Sequence, residues 1–207
     1  MAIMWCVPPP QDAAAAVFLH DEEISEYARI RAPARAGLWL ASRVALKLLA
    51  WKLLGLQDPR CSWVTKSEAG VPRLAVEDGA GVGTFACSVS HTDGLAVAAL
   101  WATPRRRVGV DVQKVTPKLV FLSHCFVGES DRLGVPLPAF WAHTMLWACK
   151  EAAAKAWGLG LALDFRTTQI GGEGDGRFQV WSPRHGQLKG QFSILTPQWA
   201  CAVCFDS

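Results

Sequence analysis

A stretch that is otherwise apolar carries charges at a regular interval. In Trp147-Ala148-Cys149-Lys150-Glu151-Ala152-Ala153-Ala154-Lys155-Ala156-Trp157, the residues Trp147, Glu151 and Lys155 recur every four positions, so a helix here lines them along one face. Spacing alone fits two readings: an ordinary solvated i,i+4 ion pair, worth about 0.3 kcal/mol, or charges placed for chemistry. Residues 140–156 are mostly Ala, Trp, Met and Leu, which sets the charges apart from a solvated face. A second constellation is Val108-Gly109-Val110-Asp111-Val112-Gln113. Alternation puts the valines on one strand face and Asp111 with Gln113 on the other. A carboxylate and an amide oxygen on one face can both reach a hard cation such as Mg²⁺, although a strand end turning polar fits as well. Ser90-His91-Thr92 is a third polar group between apolar runs, where His91 is either solvated or a phosphate contact. Metal-assisted phosphate chemistry would use all three: acids and an amide for the metal, Lys and His for the phosphate oxygens.

The elements that must hold these residues are readable in outline. A short strand over residues 3–7 ends at Pro8-Pro9-Pro10. The acids Asp21-Glu22-Glu23 open a helix through residue 30, and Pro33 breaks it. A longer helix over residues 34–54 stops at Gly55, with Arg35, Arg43, Lys47 and Lys52 on its polar side. Residues 56–82 read as strands and turns; 85–89 and 95–101 as strands joined by a polar turn over 90–94; and 108–113 as the clearest strand. A helix around 118–126 precedes a long one over 139–157 that stops at Gly158. Residues 177–181, 188–195 and 199–205 form an antiparallel meander. Two long, Trp-containing helices, each ending in Gly-Leu and followed by strands, make a weak internal repeat. The expected class is α+β: two similar halves, residues 1–105 and 106–207, each a long helix packed on a small antiparallel sheet.

Composition narrows the function. The 207 residues are 51% hydrophobic and 19% charged, enough to build a core and too apolar for a disordered chain. A net charge of +3 excludes a protein that coats nucleic acid and suits small anions or an acidic partner. Arg43, Lys47 and Lys52 interrupt the longest apolar segment, so no membrane span is expected, and no signal peptide is read at the start. Seven cysteines in a chain read as cytoplasmic are expected to be reduced. Cys201 and Cys204 form a lone C-x-x-C, for which no metal or redox role is expected.

Together these motifs resemble the 4′-phosphopantetheinyl transferases. The segment from Trp147 to Ala156 is similar to their W-x-x-K-E-A-x-x-K-A motif, and residues 108–113 to their G-[VI]-D-[VI]-E motif. Ser90-His91-Thr92 resembles their S-H-S, Gly70-Val71-Pro72 their G-K-P, and Leu19-His20-Asp21-Glu22-Glu23 with the Arg-rich helix their N-terminal region. The order holds over roughly residues 3–170. Length and the two-half pattern resemble the surfactin-type, pseudo-dimeric branch, with the active site between the halves.

The resemblance implies transfer of 4′-phosphopantetheine from coenzyme A to a serine of an apo carrier protein, releasing 3′,5′-ADP. It implies a monomer with Mg²⁺ as cofactor and an acidic acyl, peptidyl or aryl carrier protein as partner. Asp111, Gln113 and Glu151 would hold the metal, Glu151 would be the base, and Lys155 would contact phosphates. Ser90, His91, Thr92, Arg29, Arg31, Arg35, Arg43, Arg73 and Lys150 would serve the coenzyme, and residues 118–133 would dock the carrier through Phe121, Leu122 and Phe126, unless these are core. Arg105, Arg106 and Arg107 add positive charge ahead of the metal strand. Two departures stand out: Gln113 replaces the usual Glu, and Val71 replaces the usual Lys, with Arg73 two residues on. The competing expectations are a coenzyme A or carrier-binding module with a degraded metal site, and a structural protein whose ten Trp simply pack.

Overall fold

The computed structural model describes residues 2–6, 8, 11–68, 70–79, 81–103 and 106–206. Pro9, Pro10 and Arg105, named above, lie outside the described residues, as does Val7. The chain divides into two compact units, Met1–Arg106 and Arg107–Ser207.

Unit 1 runs β1 (Ala2–Cys6), α1 (Gln11–Phe18), α2 (Asp21–Ala28), α3 (Pro33–Leu54), a 3₁₀ turn at Pro59–Cys61, then β2 (Ser62–Lys66), β3 (Pro72–Asp78), β4 (Gly81–Thr92) and β5 (Leu95–Trp101). Unit 2 repeats that order with β6 (Val108–Lys114), α4 (Lys118–Phe121), α5 (Ser123–Phe126), α6 (Ala139–Trp157), a 3₁₀ turn at Gly160–Ala162, then β7 (Gln169–Gly172), β8 (Arg177–Ser182), β9 (Gly186–Thr196) and β10 (Trp199–Phe205). Both sheets are antiparallel, ordered β1-β5-β4-β3-β2 and β6-β10-β9-β8-β7. In each, the first strand pairs with the last and the remainder is a meander, so the class is α+β.

The long helices end alike. Gly55 (φ 69°) and Gly158 (φ 73°) take the left-handed conformation that closes a helix C-terminus. Pro33 is not the stop of the preceding helix, which ends at Ala28 with Arg29 as its cap; it is the first residue of α3, where its missing N–H costs no hydrogen bond. Packed on the sheet of unit 1, α3 buries Ala45, Leu46 and Leu49 against Leu74, Cys87, Ala98 and Leu100. Similarly, α6 buries Met145, Cys149, Ala152 and Ala156 against Ile170, Phe178, Leu188 and Ala202.

Several expectations are corrected. Arg43 and Lys47 do not form a solvated polar side of α3: both are buried, because Glu23 folds onto them. Ser90, His91 and Thr92 belong to β4, not to a turn. The turn is the two residues Asp93-Gly94, with Thr92 paired to Leu95 and Gly94 at φ 77°. The helix around 118–126 is two short pieces divided at Leu122, and α1 and β7 are additional elements. Cys201 and Cys204, three apart on β10, project to opposite faces. Both are buried, and Cys204 Sγ lies 3.6 Å from the carbonyl oxygen of Cys149. No described helix is long and apolar enough to cross a membrane.

Candidate active site

In unit 2, the strand β6 and the helix α6 lie face to face, and glycine makes the close approach possible. A Cβ on Gly109 would overlap the Ala152 carbonyl oxygen of α6 outright. The alternation read from sequence holds, with one addition: the face bearing Gly109, Asp111 and Gln113 is the helix face rather than a solvated one. Asp111 is therefore 2% exposed, and the valines opposite are buried as well.

A buried carboxylate requires partners. Lys155 supplies one from the last turn of α6, donating from Nζ to Asp111 Oδ1 at 2.7 Å and to the Val110 carbonyl at 3.0 Å. Gln113 supplies another, its Nε2 donating to Asp111 Oδ2 at 2.8 Å. The ordinary Glu151–Lys155 helix pair is thus not what forms: the lysine crosses to the strand. One turn earlier, Glu151 is half-buried and has no hydrogen bond or ion pair among the described residues. Burial raises its pKa from the usual carboxylate value. The negative charge of Asp111 adds to the shift, and Lys155 opposes it. A carboxylate with a raised pKa and free lone pairs is a stronger proton acceptor than an ordinary one.

The same donor set can be tested against Mg²⁺. Among the described residues, no three His, Cys, Asp or Glu side chains gather as a metal cage. Two carboxylates, Asp111 and the unpartnered Glu151, do face one another's charge, and Mg²⁺ is characteristically held by one or two carboxylates with water and substrate phosphate. The residues fit such an ion.

The other predicted residues fall into separate places. Arg29, Arg31 and Arg35 line one cavity of about 460 Å³ in unit 1, together with Glu26, Ile30 and Ala32. Arg43 is not among them. Its guanidinium lies over the Trp39 ring at 4.4 Å, with Nε 3.3 Å from Glu23 and Nη2 3.9 Å from Glu26. Arg73 is half-buried on β3. Ser90 is buried, His91 exposed and Thr92 half-buried on β4. Lys150, adjacent to Glu151 in sequence, is fully buried and turned into the core of unit 2. It donates to Asp131 at 2.6 Å and to the carbonyls of Phe126, Phe165 and Thr168, each at 2.7 Å. Trp147 stacks on Phe165 and meets Phe126 edge-on, so its role is packing.

Residues 107–204 match the family model of the 4′-phosphopantetheinyl transferase superfamily. The match supports that superfamily, and it spans β6 and α6 with Asp111, Glu151 and Lys155. Among curated proteins none matches this chain.

Sequence reasoning missed Asp131 and Glu23, the buried partners of Lys150 and Lys47. A signal was present: Lys47 precedes Gly55, and Lys150 precedes Gly158, by the same eight residues.

Proposed function

We propose that the protein transfers the 4′-phosphopantetheine arm of coenzyme A to a serine of an apo carrier protein and releases 3′,5′-ADP. One observation carries this: a buried carboxylate already bound by a lysine, beside a half-buried carboxylate with no hydrogen-bond or ion-pair partner among the described residues, inside the segment that matches the superfamily. Glu151 takes the proton of the serine hydroxyl as its oxygen attacks the phosphorus bearing the pantetheine arm, and the bond from that phosphorus to 3′,5′-ADP breaks. Lys155 spends two N–H groups on Asp111 and Val110; the third is left for a phosphate oxygen. Asp111 and Glu151, with Gln113 beside them, would hold Mg²⁺, which when bound neutralises the diphosphate.

Arg29, Arg31 and Arg35 form the cationic pocket suited to the 3′-phosphoadenosine end. Arg43 and Lys150 are left out of the ligand set, since each is buried beside a buried carboxylate, Glu23 and Asp131 respectively. His91, exposed, is the residue of its trio for the 3′-phosphate, with Ser90, Thr92 and Arg73 in support. In the carrier-docking segment, Phe121 (78% exposed) and Leu122 (50%) offer apolar contacts, whereas Phe126 is core.

The test is a mass-shift assay with coenzyme A, Mg²⁺ and a panel of apo carrier proteins. One phosphopantetheine mass gained on the carrier is expected; no gain on any carrier, from folded enzyme, overturns the reading. A second reading has a specific observation behind it. Gln113 presents an N–H to Asp111, where the family motif has a carboxylate, so a module that binds without turnover fits too. Turnover by the wild-type chain eliminates that alternative, while activity appearing only in Gln113→Glu establishes it.

A further inference from the structure

Each unit encloses one lysine ammonium in a ring of acceptors. In unit 1, Lys47 Nζ is 2.7 Å from Glu23 and donates to the carbonyls of Pro59 and Ser62. In unit 2, Lys150 meets Asp131 and three carbonyls. Both lysines are 0% exposed. The carboxylates are equivalent in a second respect: each also accepts the N–H of its sheet's edge strand, Glu23 from Val64 in β2 at 3.1 Å and Asp131 from Ile170 in β7 at 2.8 Å. The lysine therefore ties three pieces of chain: the segment before the long helix, the helix itself, and the edge of the sheet.

What hangs from the tie differs between the units. In unit 1 it is α2, which runs from Glu23 into Arg29 and the arginine-lined cavity. In unit 2, Lys150 also takes the carbonyl of Phe126, the last residue of α5, close in sequence to the exposed Phe121 and Leu122. An ammonium has three N–H donors, and Lys150 has four acceptors, so none remains for a ligand.

Resting on the transferase reading, we propose that Lys47 and Lys150 are positioning residues of one kind with different cargo. Lys47 sets the arginine pocket for the anionic nucleotide of coenzyme A, and Lys150 sets the 118–133 segment for the carrier protein. Neither touches substrate.

The two ties make a crossed experiment. Lys47→Met and Lys150→Met, with the milder Glu23→Gln and Asp131→Asn, are assayed with coenzyme A and carrier varied separately, and each full-length variant is followed by hydrogen exchange. Unit 1 variants should raise KM for coenzyme A about tenfold while moving that for the carrier by no more than about twofold, and unit 2 variants should do the reverse. Exchange should quicken in residues 29–35 for the first pair and 118–133 for the second. Both KM values moving together in every variant overturns the proposal, as does Lys150→Met weakening coenzyme A alone. If the Met variants do not fold, the Gln and Asn variants carry the comparison. If the wild-type chain transfers nothing, the transferase reading fails by itself, and exchange decides the ties: a rise confined to the named segment sustains them, and a uniform rise removes them.

Discussion

Unit 1 and unit 2 repeat one sequence of elements and one sheet order, yet among the described residues the set proposed to react, Asp111, Glu151 and Lys155, lies in unit 2. Aligning the long helices on Lys47 and Lys150 places Leu48 where unit 2 has Glu151, and an exposed Lys52 where it has Lys155. The first strand of unit 1, Ala2–Cys6, has no carboxylate, whereas β6 has Asp111. The shared parts are the frame: a left-handed glycine stop, a buried lysine, and an acid bridging it to the edge strand. The parts not shared are the residues to which the proposed chemistry is assigned. In both units the lysine of the frame is engaged by its own buried carboxylate and backbone carbonyls.

The sharpest way to break this comparison is at Glu151 itself. Glu151→Gln should lower the transfer rate by about 10²–10⁴-fold, the usual worth of a placed general base, with coenzyme A still binding in calorimetry. The matched change in unit 1, Leu48→Gln, should alter that rate by about twofold at most. Near-wild-type transfer in Glu151→Gln would sink the assignment of chemistry to unit 2.

Next is the helix–strand contact. Gly109→Ala drives a methyl group into the Ala152 carbonyl, and neither backbone has a flexible end to yield. A loss of about 1–3 kcal/mol is expected, seen as a lower thermal midpoint, with reduced activity as α6 shifts. In unit 1, a Cβ on Gly83 would meet the Phe85 ring at 3.5 Å, an ordinary contact, so Gly83→Ala should stay within about 0.5 kcal/mol. Equal midpoints for the two variants would contradict the tight fit.

A smaller effect is expected at Gln113. Gln113→Glu replaces an N–H donor to Asp111 with a third carboxylate. The Mg²⁺ concentration for half-maximal transfer should fall, by about tenfold, if the site holds the cation. An unchanged or higher requirement would separate Gln113 from the metal.

Thiol labelling gives the mildest contrast. Burial pushes Cys87 in unit 1 and Cys201 in unit 2 up to about 12 from 9.0, and Cys149 and Cys204 well above 9.0. A raised pKa means less thiolate at any pH below it, so at pH 8 these four should resist alkylation in the folded protein while the exposed Cys125 reacts. Rapid labelling of any of the four under native conditions would show that its unit opens readily.

Much of the frame was legible because its signals are local. Pro138 before α6 and Gly158 after it bound a 19-residue helix, and the valine alternation of β6 assigned Asp111 and Gln113 to one face. What failed to show was decided by distant partners. Arg43 and Lys47 look like a solvated stripe until Glu23, far earlier in the chain, folds onto them. Lys150 looks like a ligand beside Glu151 until Asp131 claims it. Ser90-His91-Thr92 reads as a loop from its polarity, but the Asp-Gly pair that follows is enough of a turn on its own. The Gly-rich β7 has no alternation to read and is held by pairing with β8.

One feature of the sheets bears on how the protein is made. The strand carrying Asp111 is at the sheet edge, and β10 is its neighbour in the order. During synthesis, β6 emerges early but has no strand to pair with until Trp199–Phe205 leaves the ribosome. A message cut short before that strand would yield a chain that still encodes Asp111, Glu151 and Lys155 yet cannot assemble them. In this fold, synthesis of β10 is a precondition for the strand carrying Asp111 to have a place in the sheet.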